Sequence, residues 1–430
     1  MRLCVYGLWH LGSVTAACLA EHFPTTAWDP DPDTIQALRQ AKPPVSEPGL
    51  SALIETCLSN GMLSITSDRH QAIADADVVW VTFDTPVNEE DVADVEFVRT
   101  QIEAAFPLLR ENTVMVVSSQ VTVGFTAALE QAFRAVYPNR QVSFAYIPEN
   151  LRLGTALDSF RRPERLVVGV GRQEARSRLA ELLAPFSRNI QWMSIESAEM
   201  VKHAVNAFLA TSVAFINEVA SVCEQVGADA KEVERGLKSE PRIGPRAYLG
   251  PGSAFAGGTL ARDISYLLQI GEEKSVSTHL LAAVRQSNNE HQAWPRRTLM
   301  KALGDLAGKQ VAVLGLTYKP GTDTLRRSEA VELCLWLGAQ GAQVRAYDPA
   351  ISKVPSELSP PIRLCASARE ALAGADAMII ATAWPAFKEL TADQLATDMR
   401  CLIVLDPNRF LVSSVAEDSR LHHYAVGKSA

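Results

Sequence analysis

The sequence predicts an α/β protein in which two doubly wound parallel sheets flank a central all-helical segment. Near both ends of the chain, short apolar runs alternate with helical patterns, which is typical of parallel sheets covered by helices. In the middle, apolar residues recur at helical spacing and the strand-like runs vanish. The 430 residues are also too many for one hydrophobic core, so several domains are expected.

Five short apolar runs predict the strands of the first sheet. They are Leu3–Gly7, Thr25–Trp28, Asp77–Phe83, Thr113–Ser118 and Val142–Ile147. Helical segments separate these runs. Strands that alternate with helices form parallel sheets, so we expect a doubly wound fold here.

The segment from Ser197 to about Gln286 is predicted to be helical. Six of its apolar residues fit one long helix that is buried on most sides. They are Met200, Ala204, Ala207, Phe208, Val213 and Ile216. The Gly- and Pro-rich stretch Pro241–Gly258 is predicted to interrupt this helical region.

The C-terminal part predicts a second sheet that repeats features of the first. Its strands are Gln310–Gly315, Val344–Tyr347 and Ala377–Thr382. Three ordered matches join the two ends: Val5–Leu8 with Val313–Leu316, Trp28–Pro30 with Tyr347–Pro349, and Ala76–Pro86 with Ala375–Pro385. We interpret them as two related nucleotide-binding-like sheets. Chance recurrence of short strand–aspartate endings is the alternative.

Composition excludes several function classes. The net charge of −8 argues against nucleic acid or an anionic membrane as the main partner. The seven cysteines are scattered singly, which indicates reduced thiols. No apolar stretch is expected to be long enough to span a membrane, which requires roughly 18–20 apolar residues. We therefore expect a cytoplasmic protein.

A glycine loop follows the first predicted strand. Gly7 and Gly12 match the first and third glycines of a dinucleotide-binding turn, but Trp9 stands where the second belongs. Asp29 ends the second strand about twenty residues further on, where a carboxylate accepts hydrogen bonds from the adenosine ribose. Such a carboxylate repels a 2′-phosphate, which favours NAD over NADP. A calcium loop at Asp29, Asp31 and Asp33 lacks the required glycine and closing glutamate, and no metal site is predicted.

Further motifs are spread along the rest of the chain. They are Glu47–Leu50, Asp84–Pro86, Val121–Gly124, Pro148–Arg152, Ala198–Lys202 continuing to Asn206, Phe215–Glu218, Arg242–Pro245, Gly257–Thr259 with Asp263, and Gly315–Arg326. With the glycine loop, their order and spacing resemble those of the UDP-glucose/GDP-mannose dehydrogenase family over nearly the whole chain. The run from Ala198 to Gly244 is more similar to the UDP-sugar branch.

The resemblance implies an architecture and a reaction. It implies an N-terminal NAD-binding Rossmann domain (1–190), a central helical dimerisation domain (191–298) and a C-terminal Rossmann-like nucleotide-sugar domain (299–430), assembled as a homodimer. Members of the family oxidise the C6 alcohol of the sugar to a carboxylate with two NAD. An aldehyde forms first, a cysteine attacks it, a second hydride leaves, and the thioester is hydrolysed.

The resemblance also implies residue roles. The catalytic set is Lys202, Asn206, Asp263, Glu149 and, in the cysteine position, Thr259. The cofactor set is Gly7, Leu11, Gly12, Asp29, Thr85, Gln120, Leu153, Arg262 and Arg326. The substrate set is Glu149, Asn150, Leu151, Arg152, Lys202, Asn206, Arg242, Tyr248, Leu249, Gly250, Pro251, Gly252, Phe255 and Lys319. In this resemblance Lys202 stabilises a developing oxyanion, and Arg242 reaches a neighbouring subunit's site.

Four departures from the family pattern concern the chemistry. Thr259 replaces the nucleophilic cysteine, and a hydroxyl is far less acidic and nucleophilic than a thiol. Gln120 and Leu153 replace a threonine and a glutamate, whereas Arg262 replaces a lysine and keeps its charge. The hypothesis is a dehydrogenase without thioester chemistry. It stops at an aldehyde or ketone, oxidises another carbon, or completes the oxidation through a hydrate.

Two alternative hypotheses stand beside that of an active nucleotide-sugar dehydrogenase. Trp9, Gln120 and Thr259 favour a catalytically silent homologue that binds NAD and nucleotide sugar in a regulatory role. The retained Lys202 favours activity. A β-hydroxyacid dehydrogenase would share the N-terminal fold, but the Gly315–Arg326 motif and its second sheet speak against that class.

Overall fold

A computed structural model describes residues 1–86, 94–256, 259–325, 328–358 and 361–429. The chain forms two compact units, Met1–Ala204 and a second one that begins at Val205. The division into three domains stays a prediction.

The first unit contains an eight-stranded sheet in the order β3-β2-β1-β4-β5-β6-β7-β8. Strands β1 to β8 are Leu3–Tyr6, Thr25–Trp28, Leu63–Thr66, Val78–Val81, Val114–Val117, Ser143–Tyr146, Leu166–Val170 and Ile190–Met193. Helices α1 to α8 are His10–Ala20, Pro32–Arg39, Leu50–Ser59, Arg69–Ile73, Val95–Glu103, Phe125–Val136, Ala156–Arg161 and Gln173–Leu183, with a 3₁₀ turn at Phe106–Leu108. All five predicted strands are present. Strand β7 runs antiparallel to β6, which the prediction of an all-parallel sheet missed.

The second unit contains a six-stranded parallel sheet in the order β11-β10-β9-β12-β13-β14. Strands β9 to β14 are Gln310–Leu314, Gln343–Tyr347, Ile362–Leu364, Ala377–Ile380, Ile403–Leu405 and His422–Tyr424. Helix α9, Ile195–Val226, crosses the boundary between the units. Helices α10 to α17 are Ala230–Ser239, Thr259–Glu273, His279–Gln292, Trp294–Leu303, Glu329–Ala339, Ala368–Leu372, Ala392–Asp398 and Ser413–Ala416, with 3₁₀ turns at Ser356–Leu358 and Pro385–Glu389.

Both faces of the first sheet are covered. Leu3 and Val5 of β1 pack into one hydrophobic core, while Cys4 and Tyr6 pack into the core on the other face. A strand buried on both faces reads as a continuous apolar run, because successive side chains point to opposite faces. The prediction of two sheets flanking a helical middle segment is confirmed.

The two sheets repeat one another in topology and in local hydrogen bonds. The six strands of the second sheet follow the order of β1 to β6 in the first. In the first sheet the Arg2 amide donates to Asp77 at 2.7 Å, and in the second the Gln310 amide donates to Asp376 at 2.8 Å. The sequence matches between the two ends therefore coincide with equivalent places in the two sheets.

Helix α9 is less buried than its apolar pattern predicted. Ala207, Ala210 and Ala214 pack in a core of the second unit, but Phe208 is 71% exposed and Phe215 is also exposed. The expectation of burial on most sides was therefore wrong within one copy of the chain. A sequence pattern shows only that a face is apolar, and it does not show what covers that face.

The same helix corrects the membrane-span expectation. An 18-residue window of α9 is long and apolar enough to cross a membrane, and half of that window is buried inside the protein. A core helix of a folded domain has the same length and composition, so this feature is weak evidence for a membrane segment.

Glu329, at the start of α14, provides a test of pH-dependent stability. Burial raises the pKa of its carboxyl from 4.5 to about 7, and the nearby Glu332 adds to this effect. The native carboxyl therefore keeps its proton at pH values where the unfolded chain has lost it. Stability should fall as the pH rises from about 4.5 to 7 and stay reduced above that range.

Replacing Glu329 by glutamine should remove this penalty. We expect Glu329→Gln to stabilise the protein by roughly 1–3 kcal/mol at pH 8 and by much less at pH 5. Calorimetric melting of the variant and wild type at both pH values measures the difference, with the exposed Glu417→Gln as control. An equal gain at both pH values would rule out the titration of Glu329 as its cause.

Candidate functional site

The glycine loop of the first unit forms a closed turn between β1 and α1. Gly7 has φ +104°, and a Cβ there would lie 2.7 Å from the Phe83 ring. At Gly12 a Cβ would lie 1.8 Å from the Gly7 carbonyl oxygen. Trp9 has φ −70°, which any residue adopts, and the residue is 47% exposed. The absence of a glycine at position 9 therefore leaves the backbone turn intact. What differs is that the Trp9 side chain lies beside the turn.

Asp29 lies at the end of β2, next to this loop. Its Oδ2 accepts a hydrogen bond from the Leu8 amide at 2.6 Å, and its Oδ1 accepts one from the Asp31 amide at 2.9 Å. Burial raises the pKa of this carboxyl, and the two amide hydrogen bonds oppose that rise. Each carboxylate oxygen has a second lone pair. The partly exposed Asp29 is therefore suited to accept the hydroxyls of an adenosine ribose.

The equivalent carboxylate of the second unit, Asp348, is arranged differently. It is 2% exposed, and its Oδ2 accepts hydrogen bonds from the Leu316 and Thr317 amides at 2.7 and 2.9 Å. Trp384 Nε1 donates to the same oxygen at 3.0 Å. Oδ1 accepts the Ala350 amide at 2.8 Å, and burial shields the whole carboxylate from a dinucleotide ribose. The first unit therefore carries the dinucleotide site, although both sheets have the same strand order.

Asp29→Ala should weaken NAD binding. We expect the loss of a charge-assisted hydrogen bond to the ribose to cost about 1.5–3 kcal/mol, or roughly 10- to 150-fold in Kd. Isothermal titration with NAD measures the change, and replacement of the exposed Asp33 of α2 by alanine is the matched control. Unchanged affinity in the Asp29 variant would exclude a ribose contact there.

Two other predicted cofactor residues, Thr85 and Gln120, lie where parallel strands of the first sheet end, the usual ligand edge of such folds. Thr85 follows β4 and donates through Oγ1 to the Gln120 carbonyl, after β5, at 2.6 Å. Leu11 and residues 149–151 line one cavity of about 70 Å³. Leu153 is exposed. Arg262 lies on α11 of the second unit, and Arg326 lies outside the described residues.

Lys202 and Glu149 are brought together in the first unit. Lys202 Nζ donates to the Glu149 carbonyl oxygen at 2.5 Å and lies 3.6 Å from the carboxylate Oε2. The other carboxylate oxygen, Oε1, accepts the Leu151 amide. The Lys202 side chain is mostly buried and that of Glu149 only partly. The ammonium and the carboxylate therefore lie together in a partly desolvated environment. Such an arrangement suits proton transfer beside a stabilised oxyanion.

Two residues that flank Lys202 dock α9 onto the segment 121–126. Glu199, fully buried, accepts hydrogen bonds from the amides of Gly124 at 2.6 Å and Thr126 at 3.0 Å. His203 Nε2 lies 3.2 Å from the Val121 carbonyl oxygen. The motif Ala198–Lys202 contains Glu199, yet sequence reasoning assigned it no role, because its partners are more than seventy residues away in the chain.

The second unit brings together Asn206 and Asp263. The amide of Asn206, on α9, donates to the Asp263 carboxylate on α11, and both side chains are buried. Thr259 is the first residue of α11 and is exposed. Gly257 and Gly258, which precede it, lie outside the described residues.

The loop 248–255 carries predicted substrate contacts. It is held by asparagine side chains to which sequence reasoning assigned no role. Asn217 accepts the Gly252 amide at 3.0 Å, and Asn288 exchanges two hydrogen bonds with the backbone of Phe255. Asn408 accepts the Ser253 amide at 2.9 Å. Asparagines far apart in sequence give no local signal of a shared loop.

The same loop divides into buried and accessible residues. Leu249, Pro251 and Gly252 are buried, whereas Tyr248 and Gly250 are exposed. Of the remaining predicted substrate residues, Asn150, Arg152 and Lys319 are exposed. The Arg242 side chain is exposed and pairs with Glu240 at 2.7 Å. The structure therefore shows which of these side chains are open to a ligand, and their roles stay predictions.

Models of one protein family match most of the chain. The NAD binding domain of the UDP-glucose/GDP-mannose dehydrogenase family matches residues 1–187, its central domain residues 196–290, and its UDP binding domain residues 312–413.

Individual relatives are similar along nearly their whole length. The UDP-glucose 6-dehydrogenase of Pseudomonas aeruginosa is 34% identical, with 94% of this chain and 93% of the relative covered. That of Rhizobium meliloti is 33% identical, with 94% of each covered. The solved UDP-glucose dehydrogenase of Pyrobaculum islandicum is 30% identical, has a TM-score of 0.88, and covers 100% of this chain and 98% of its own.

Proposed function

Because the chain belongs to the UDP-glucose/GDP-mannose dehydrogenase family and is an NAD-dependent oxidoreductase acting on a nucleotide sugar, we propose that it oxidises the C6 hydroxyl of a UDP-hexose without a thioester step. Bound NAD supplies the hydride acceptor, held through Asp29 and the turn from Gly7 to Gly12. The observation that carries the proposal is the contact between Lys202 and Glu149, which is kept while the cysteine position holds Thr259.

In the proposed oxidation, Glu149 accepts the proton of the sugar hydroxyl and C6 loses a hydride, which gives an aldehyde. Lys202 stabilises the alkoxide as the proton leaves, since an ammonium in a half-buried place interacts strongly with developing negative charge. The family resemblance implies that Asn206 orients a substrate oxygen, and within the second unit its amide is held by the buried Asp263 carboxylate.

Thr259 argues against covalent catalysis at its position. A threonine hydroxyl has a far higher pKa than a thiol, so attack on the aldehyde would require a strong base beside it. The aldehyde is then released, or its hydrate loses a second hydride. The proposal covers both products because neither forms a bond to the protein.

The test counts NADH per sugar for purified protein with NAD and a panel of UDP-hexoses. One equivalent indicates an arrested oxidation, and two with a uronate product indicate oxidation through the hydrate. Thr259→Cys should add a covalent sugar adduct visible by intact mass spectrometry, with Thr259→Ser as the matched control. An adduct on Thr259 of the wild type, hydrolysed to a uronate, would overturn the proposal.

A catalytically silent homologue with a regulatory role is the second candidate. The half-exposed Trp9 in the glycine loop favours it, since its indole occupies space next to the turn that binds pyrophosphate. This candidate requires no NADH with any sugar, together with measurable binding of NAD and a UDP-hexose.

We also propose a cytoplasmic homodimer that forms through the central helices, with neither nucleic acid nor membrane as a partner. Support comes from α9, where exposed Phe208, Phe215 and Val222 follow one another at seven-residue intervals and so lie along one stripe of the helix. Sedimentation of the wild type should give a dimer, and Phe208→Glu with Phe215→Glu should give a monomer. A monomeric wild type would contradict this assembly.

A further inference from the structure

Glu47 lies between two segments of the first unit that bind different ligands in the proposed function. Its side chain is 1% exposed. Oε1 lies 2.9 Å from His10 Nε2, and His10 lies within the glycine loop Gly7–Gly12, as the first residue of α1. The Gly154 amide donates to the same carboxylate at 2.9 and 3.0 Å, and the Ala156 amide donates to it at 3.3 Å.

These contacts connect distant parts of the chain. In the proposed function His10 is part of the turn that receives the cofactor pyrophosphate, whereas Gly154 follows directly on the segment Glu149–Leu153. A buried carboxylate is unfavourable unless donors surround it, so removing one of these donors should disturb the arrangement. His10 and Gly154 share one oxygen of Glu47, and a shift of either donor therefore disturbs the other.

The side chain of His10 has a specific role in this arrangement. It is mostly buried, and its ring is aimed at Glu47. An imidazole at the start of α1 could otherwise turn toward a bound phosphate. With Nε2 engaged by Glu47, His10 anchors the first turn of α1 to Glu47 and, through it, to residues 154–156.

We propose that Glu47 and His10 are positioning residues that hold the glycine loop and the segment 149–153 at a fixed separation. The inference rests on the proposed function, in which one segment holds the hydride acceptor and the other holds the proton acceptor. Hydride transfer depends steeply on that separation, since a displacement of about 1 Å can lower the rate by about 100-fold. Neither residue touches the reacting atoms.

The experiment compares His10→Phe, Glu47→Gln and the double variant with wild type. His10→Phe keeps an aromatic ring of similar size, and the exposed Glu55→Gln on α3 is the control. We expect His10→Phe and Glu47→Gln to lower kcat about 10- to 100-fold, with a much smaller change in the Kd for NAD. The deuterium isotope effect with C6-deuterated sugar should rise, because hydride transfer becomes more rate-limiting.

The double variant tests whether the two residues act together. If they do, its kcat falls no further than that of the more impaired single variant. Additive losses would overturn the proposal, as would a loss explained by NAD affinity alone or an unchanged kcat in a folded His10→Phe. His10→Phe removes one contact of Glu47 and leaves the amide donors of Glu47 in place. If Glu47→Gln fails to fold, this variant alone therefore tests the positioning role.

Failure of the proposed function is recognised separately. A wild type that produces no NADH contradicts that function whatever the variants do. The positioning role is then tested by binding measurements. The quantity compared is the factor by which a UDP-hexose changes the Kd for NAD. That factor should move toward one in His10→Phe, and an unchanged factor would overturn the proposal.

Discussion

Lys202→Met should lower kcat by about 100- to 1,000-fold, the effect expected when one preorganised group that stabilises an oxyanion is removed. Methionine keeps the length of the side chain and removes its charge. In the wild type, Nζ lies 2.5 Å from the Glu149 carbonyl oxygen and 3.6 Å from its carboxylate. The variant loses both contacts, so the alkoxide would form without a neighbouring cation.

The kinetic pattern separates this role from a structural one. The Kd for NAD should hardly change, because the cofactor is held through Asp29 and the glycine loop. Lys301→Met on the exposed face of α13 is the matched control, since it removes the same charge from a helix surface. Wild-type kcat in Lys202→Met would show that the lysine takes no part in the chemistry. A melting temperature far below that of the control would point to a structural role.

Gly12→Ala should largely abolish NAD binding and also destabilise the first unit. The added Cβ would lie 1.8 Å from the Gly7 carbonyl oxygen and 2.9 Å from Thr82 Oγ1. The nearest obstacle is backbone, so the turn has to open, and the hydrogen bond from Thr82 to the Gly7 carbonyl at 2.6 Å is lost. Overpacking of this kind costs about 1–3 kcal/mol or more.

Calorimetry and NAD titration measure the two effects together. Gly236→Ala on α10 is the control, because nothing lies within 4 Å of its added methyl and alanine is the better helix former there. We expect that control to keep or raise the melting temperature and to bind NAD as wild type does. Wild-type NAD affinity in Gly12→Ala would show that the cofactor does not use this turn.

Sequence patterns were sufficient where the physics is local. Alternating strands and helices predicted both sheets, because a parallel sheet needs a crossover connection after each strand. Asp29 could be identified from its distance to the glycine loop, since both positions end adjacent parallel strands. The reversed direction of β7 could not be predicted, because its apolar run is the same whichever way the strand points.

The sequence by itself determined the fold class, the family, and NAD as cofactor. The tertiary structure alone decided which carboxylate remains available: Asp29 keeps free acceptor capacity, while Asp348 at the equivalent place is enclosed by its own loop and Trp384. It also showed that Glu47 joins His10 to residues 154–156 and that Glu199 anchors α9. The reason is that a buried polar group needs partners, and those partners come from segments 31 to 109 residues away that no local pattern identifies.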